Sequence, residues 1–521
     1  MEVSIQQKEN RNVKKLMLRT FLLLLALLMV IPLASCQEAP TPQETDPVTG
    51  PADTDPDTNP STDPEKDPET DPEEGKDGPT LPEKNYGGEE FTILMRDLQE
   101  YTEDVYVESM GASSTSLERA VYQRLKDLCY AYNLVINPII HERPKNEIPG
   151  AAKAGTDVFD LVVEQTGFSL SCAASGYYYD WNDLPYVNLE ADWWSAQAAE
   201  ELATPGGKLY TMVGDISHMS VGAVTCMFFN KALLGDVQGL ASPYDLVRSG
   251  DWLFETFEEY VLTLDANMDG DGTGALETDT FGYATGWWAG PSQILHSTGY
   301  RALEWKNEDW KFPLDNDTTA EAVFDMRDLL WNSGACYVDK KASVAKDFEV
   351  LVEPFRAGRV AFMDDRVANA RRFAGADLSY GILPWPKYSK RVKEYPATFS
   401  AGTNIFAVMR NTSAENAERI SIALEFMAYE GHEKIVPLYY ETVLSYQYLK
   451  DEDSIEMLHL MHDHMIFDLG VLYSPVSGIV GDTILDPNGP SLSTAFGEIE
   501  EAARIELYET WNKLDEGIIE E

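Results

Sequence analysis

The sequence predicts an α/β protein built as two lobes, and three observations carry that expectation. Early in the folded body, Phe91-Thr92-Ile93-Leu94 reads as a strand, residues 117–132 as an amphipathic helix with Ala120, Val121, Leu125 and Leu128 at helical spacing, and residues 159–163 as a second, buried strand. Strand, helix and strand in that rhythm imply a parallel sheet covered by helices. The chain has 521 residues, more than one compact core accommodates. Finally, residues 380–408 join two β-like runs across a charged and aromatic excursion. Pro384 and Pro386 end the first run, because proline cannot donate to a central ladder. Ser400, Ala401 and Gly402 are small enough for the second run to begin close against other backbone. The expectation is one lobe handing the chain to the other across a cleft.

Composition narrows the partners. The formal net charge is −48, and most of it lies in the body beyond residue 85. Such a chain repels phosphodiester backbones and anionic lipid surfaces, which argues against nucleic acid and leaves room only for a small local basic pocket. Eleven tryptophans and twenty-six tyrosines are enough to line a recognition site with rings.

From the amino terminus, residues 1–36 read as an export signal. Lys8, Arg11, Lys14, Lys15 and Arg19 precede an apolar run, residues 21–33, that is shorter than the ~18 residues a spanning helix needs. Leu33-Ala34-Ser35-Cys36 resembles a bacterial lipoprotein lipobox, which implies lipidation of Cys36 and anchoring at the outer face of the cytoplasmic membrane. Residues 37–87 repeat Thr-Asp-Pro and hold almost no apolar side chains, so they are expected to form a disordered acidic tether. Extended at ~3.1 Å per residue, it reaches on the order of 150 Å.

Ligands of parallel sheets sit at the carboxyl ends of strands. By that rule Arg96, Asp97, Glu164, Gln165 and Thr166 are candidate site residues. A Trp- and Tyr-rich region follows, then a glycine turn at Gly206-Gly207 leading to Asp215, a β-like run over residues 223–230, and a helix expected to be capped by Thr256 with Glu259 three positions on. Trp287 and Trp288 come next. Residues 355–363 read as a helix end, a turn and a short strand, with Asp364, Asp365 and Arg366 at its end. Trp385 and Tyr388 lie in the excursion.

These pieces together resemble the extracellular solute-binding proteins of ABC importers (family 1), which include maltodextrin- and oligosaccharide-binding lipoproteins. The resemblance rests on the lipobox at Cys36, Gly207-Lys208-Leu209-Tyr210, Phe229-Asn230-Lys231, Gly250-Asp251-Trp252 and Asp279-Thr280-Phe281-Gly282-Tyr283. Residues 355–362, residues 381–387 and Phe467-Asp468-Leu469-Gly470 complete it, so it spans nearly the whole body. It implies a two-lobed, type II periplasmic-binding-protein-like α/β fold with hinge-crossing strands. Lobe one would be 88–216 plus 383–445, and lobe two 217–382 plus 446–521. It also implies a monomer that encloses a carbohydrate or other small solute and delivers it to a membrane permease.

A sugar offers flat C–H faces and paired hydroxyls, so its receptor needs rings to stack on and planar polar groups. Arg96, Asp97, Gln165, Asp215, Trp287, Trp288, Asp364, Asp365, Arg366, Trp385 and Tyr388 supply those types near the expected crossings. Asp364 and Asp365 as a hydrolase pair is the poorer reading, because neighbours on a strand point to opposite faces. Asn267, Asp269 and Asp271, followed by Gly272, have the alternate spacing of a calcium loop, but the closing position is Thr278, with Asp279 one place beyond. Structural calcium is therefore a candidate, and no cofactor is required. His459, His462 and His464 do not share one helical face and read as a solvated helix end. Cys129, Cys172, Cys226 and Cys336 allow three pairings without a choice among them.

Overall fold

The computed structural model describes residues 78–516 except 236, 269, 271–273, 276, 287–289, 291, 340–348 and 441–450. All of them belong to one compact unit, residues 76–521. The export signal and Cys36 lie outside the described residues, as do Trp287, Trp288, Asp269 and Asp271; so does the tether up to residue 77.

Among the described residues, thirteen strands follow in chain order: β1 (Glu89–Arg96), β2 (Leu134–His141), β3 (Leu161–Gln165), β4 (Thr225–Asn230), β5 (Phe281–Gly286), β6 (Glu304–Trp305), β7 (Trp310–Lys311), β8 (Cys336–Asp339), β9 (Val360–Arg366), β10 (Tyr380–Leu383), β11 (Ala397–Thr398), β12 (Asn404–Ala407) and β13 (Met465–Ile466). They form a four-stranded sheet, β12-β3-β1-β2, a five-stranded sheet, β10-β4-β9-β5-β8, and two two-stranded sheets, β11-β13 and β6-β7. In the first, β1 runs parallel to β2 and β3, while β12 returns antiparallel to β3. In the second, β5 is parallel to β8 and β9, while β4 is antiparallel to β9 and β10. β10 and β12 thus belong to different sheets, and the prolines between them mark the passage from one to the other.

The helix Ser116–Tyr132 packs on the first sheet through Val121, Leu125 and Leu128. Thr115 accepts from the Glu118 N–H and Glu118 accepts from the Thr115 N–H, a capping box that fixes where the helix starts. The second sheet encloses an aromatic core in which Phe228, Phe257, Phe355 and Phe362 are fully buried. Each such side chain contributes about 2–3 kcal/mol of apolar burial.

Tertiary pairing moved several expected boundaries. The strand placed at residues 159–163 runs from Leu161 to Gln165. The helix expected to begin at Thr256 begins at Phe254, after Leu253 bridges Lys387 and the Phe254 N–H donates to the Lys387 carbonyl. Thr256 sits inside that helix, its hydroxyl donating to the Asp251 carbonyl. Asp364, Asp365 and Arg366 are not beyond the end of β9 but within it, paired with Met227, Cys226 and Thr225. The β-like run from residue 223 starts as a strand only at Thr225, because Met219–Gly222 is helical. The four described cysteines are free.

Candidate functional site

The carboxyl ends of β1 and β9 meet at a seam between the two sheets. Arg96, the last residue of β1, donates from Nη2 to Asn404 Oδ1 (2.8 Å) and to the Gly402 carbonyl (3.0 Å). Its guanidinium carbon lies 3.8 Å from the centre of the Tyr101 ring. Arg366, the last residue of β9, donates from Nη1 to the Tyr101 hydroxyl, and its guanidinium carbon is 5.5 Å from that ring centre. A Cβ on Gly402 would sit 3.9 Å from Arg366 Nη1, so both guanidiniums converge on this backbone. Burial lowers both: Arg96 falls to about 10, and Arg366 to about 9 with Arg96 and Arg372 adding like-charge repulsion.

Carboxylates around this pair are engaged by other groups. Asp104 accepts from the Ser217 hydroxyl and pairs with His218 Nδ1 at 2.8 Å. Glu164 accepts from the N–H groups of Lys145 (2.8 Å) and Gln165 (2.6 Å). Burial raises the Glu164 carboxyl. Asp215 holds Ser220 Oγ (2.9 Å) and His432 Nδ1 (2.8 Å). A Cβ on Gly431 would lie 1.7 Å from the Asp215 carbonyl, so only glycine lets His432 reach it.

Asp364 and Asp365 are fully buried. Asp364 accepts from the Tyr283 hydroxyl, and a Cβ on Gly290 would come within 2.2 Å of its Oδ1. Desolvation lifts its carboxyl to about 6. Asp365 accepts from Asn369 Nδ2 at both carboxylate oxygens (2.8 Å each) and from the Arg366 N–H at 2.7 Å, and desolvation lifts it to about 7. Neighbouring positions on β9 place the two carboxylates in separate networks, so they do not flank a common bond.

The structure brings Arg96 and Arg366 together and sets Asn404 between β1 and β12. Gln165 faces Asn404 in the β3–β12 register, and Asp97 is exposed beside the same strand end. Trp385 is not brought to the seam. It is fully buried in the aromatic core of the second sheet, 6.2 Å from Phe257 and 6.4 Å from Tyr283 between ring centres. Tyr388 is also elsewhere, donating to Asp325 Oδ2 at 2.8 Å. In the glycine-rich loop, Asn267 Oδ1 accepts from the Gly270 N–H, and Asp279 accepts from the N–H groups of Met268 and Ala275. Among the described residues no group of three or more His, Cys, Asp or Glu is placed to hold a metal ion. His462 is half-buried against Tyr440, on which His459 stacks at 5.1 Å.

Two features went unread in the sequence. Tyr101, between the arginines, follows β1 in a short helical turn whose pattern carries no periodic signal. The other is a pocket of about 380 Å³ between the helix Ala196–Leu202 and the β6–β7 hairpin, lined by Trp305, Trp310, Glu200, Glu201 and Arg301. Burial pushes Glu201 to about 7 against the opposing pull of Arg301, 3.3 Å away. The Trp305 and Trp310 spacing across a tight turn was the available clue.

Neither a family model nor a curated protein matches the chain. Solved structures do. An ABC substrate-binding protein from Listeria monocytogenes in complex with cycloalternan matches with a TM-score of 0.52 at 13% identity, covering 80% of this chain and 98% of that one. The GacH receptor of Streptomyces glaucescens, solved unliganded and with acarbose, gives 0.52 at 14%, with coverage of 80% and 98%. UgpB from Mycobacterium tuberculosis in complex with glycerophosphocholine gives 0.52 at 16%, covering 81% and 98%. With two α/β sheets and the chain passing from one to the other between β10 and β12, this chain has the two-lobed, type II periplasmic-binding-protein-like fold that these substrate-binding proteins share.

Proposed function

We propose that the protein is a non-enzymatic receptor that captures a small extracellular solute, a carbohydrate or sugar derivative, and delivers it to the permease of an ABC importer. The observation that supports this most is the seam itself: side chains at strand ends of two different sheets meet at Gly402, on the segment that carries the chain between those sheets. Residues 88–216 plus 383–445 would move against 217–382 plus 446–521. A solute touching both lobes binds the closed form better, and that differential contact shifts the population towards closure. Lipid on Cys36 and the acidic tether hold the receptor at the outer face of the membrane. The solved structures of like fold carry cycloalternan, acarbose and glycerophosphocholine, which fits a polyhydroxylated ligand class.

The test is thermal unfolding of the purified protein against a panel of oligosaccharides and polyols. A true ligand at 100 times its Kd adds ~2.7 kcal/mol of stability and raises Tm measurably, with the added solute recovered unchanged. Product formation from the solute would instead indicate a carbohydrate-active enzyme and sink the receptor reading.

A further inference from the structure

We infer that the solute is a neutral mono- or disaccharide held in the pocket between the helix Ala196–Leu202 and the β6–β7 hairpin, with Trp305 as its stacking surface and Glu201 and Arg301 as its hydroxyl partners. This rests on the receptor reading above and adds the size of the solute and the place that holds it.

The hairpin presents the rings. Trp305 and Trp310 pair directly across β6 and β7, so their side chains leave the same face. Asn307 and Glu308, with φ of 55 and 58, make the tight turn between them, and the Lys306 N–H closes it on the Asp309 carbonyl at 2.9 Å. Trp310 is buried, donates from Nε1 to Asn512 Oδ1 (2.8 Å) and accepts at its carbonyl from Arg504 Nη1 (2.6 Å). Trp305 stays half-buried, in edge-to-face contact with Trp310 (5.1 Å between ring centres) and Tyr508 (6.2 Å). An indole fixed in this way loses little freedom when the C–H face of a sugar settles on it.

The polar groups come from other elements. Glu201, on the helix, accepts from the Leu469 N–H (3.1 Å) and pairs with Arg301 Nη1 at 3.3 Å. Arg301 Nη1 also donates to the Phe467 carbonyl. Both side chains are half-buried, so an acceptor and a donor stand side by side at the pocket wall. Hydroxyls need that arrangement, since each one both donates and accepts. Desolvation pushes the Glu201 carboxyl up to about 7 despite Arg301, and hydroxyl donors would replace the hydration it has lost. The lining favours neither sign of charge: Glu200, Glu201 and Glu304 oppose an anion, and Arg301 and Lys306 oppose a cation. A volume of about 380 Å³ is near the lower end of the ~300–1,000 Å³ of ligand pockets, which suits a mono- or disaccharide better than a longer chain. On the receptor reading Glu201 lies in one lobe and Arg301 and Trp305 in the other, so a saccharide seated here touches both and favours closure.

The test is titration calorimetry of the purified full chain with glucose, galactose, maltose and cellobiose. Glucosamine and glucuronic acid serve as charged counterparts, and maltotetraose and cellotetraose as longer ones. At least one neutral mono- or disaccharide is expected to bind about tenfold or more tighter than the charged and the longer probes. Trp305→Ala is expected to weaken that probe about tenfold or more, and Trp305→Phe, which keeps a ring, to stay within about threefold of the wild type. Glu201→Gln retains an acceptor for the Leu469 N–H and loses the charge, and is expected to weaken the same probe about tenfold. Each variant is melted without solute, so that an unfolded protein is not taken for a lost contact; should Trp305→Ala not fold, Glu201→Gln decides. A neutral probe bound equally well by the wild type and by Glu201→Gln and Trp305→Ala would move the solute out of this pocket. Charged or longer probes binding as tightly as the small neutral ones would overturn the assigned class. Either result leaves the receptor reading standing, whereas failure of every probe would remove both.

Discussion

Asp364 shows how a single residue in this fold carries an electrostatic cost that can be measured. It is fully buried, accepts from the Tyr283 hydroxyl, and has its carboxyl lifted from 3.8 to about 6 by desolvation. A carboxyl raised in the folded state binds its proton more tightly there than in the unfolded chain. Its stabilising contribution is therefore complete below about pH 4 and is lost as pH rises through about 6. Asparagine at this position retains an acceptor for Tyr283 and does not titrate. The Tm of the wild type relative to Asp364→Asn should then be highest near pH 4, fall between pH 4 and 7, and level off above. Melting both proteins across that range checks it, and a difference independent of pH would refute the assignment. At this scale the sequence was informative about position: the expectation that Arg96 and Arg366 sit at strand ends matches their places as the last residues of β1 and β9. Trp385 was not legible, because an aromatic ring in a proline-flanked excursion suits a cleft wall and a core equally, and only packing against Phe257 and Tyr283 separates them.

Elements were legible where the pattern is local. The helix Ser116–Tyr132 follows from its capping box and apolar spacing, and β10 and β12 from the prolines and small residues around them. Boundaries set by partners distant in sequence were not. Leu253 pairs with Lys387, so the next helix starts before the hydroxyl that would have capped it. The junction after the helix Ala414–Glu430 makes the same point. The chain continues as a π-helical turn, Gly431–Ile435, that presses against the Asp215 carbonyl. Gly431 has φ −64, an ordinary helical value, so it is there for space rather than for backbone freedom. Gly431→Ala would place a methyl 1.7 Å from that oxygen, and should destabilise by about 2–3 kcal/mol as overpacking does. It would also move His432 away from Asp215. Chemical denaturation of the variant checks the first effect; a midpoint equal to the wild type would mean that the turn relaxes without resistance.

For the molecule as a whole, net charge and anchoring have to be considered together. With a formal charge of −48, the chain would be repelled by an anionic membrane surface, so electrostatics could not hold the proposed receptor there. Acyl chains can, at about 0.8 kcal/mol per buried CH₂, provided more than one is present. On that proposal the Asp-Pro-rich segment after Cys36 would link the anchored residue to the folded body. On the proposed reading, lipid on Cys36 would supply that attachment. Cells expressing the full chain and supplied with labelled fatty acid should incorporate label into the wild type, and the labelled protein should partition into detergent. Cys36→Ala should carry no label, although its folded body should melt at the wild-type temperature, since residue 36 lies well before the compact unit that begins at residue 76. Label persisting in Cys36→Ala would place the acyl chains on another residue and overturn the Cys36 assignment, whereas label absent from the wild type would leave a strongly acidic chain with no means of staying at the membrane, and the proposed delivery to a permease would have to be abandoned with it.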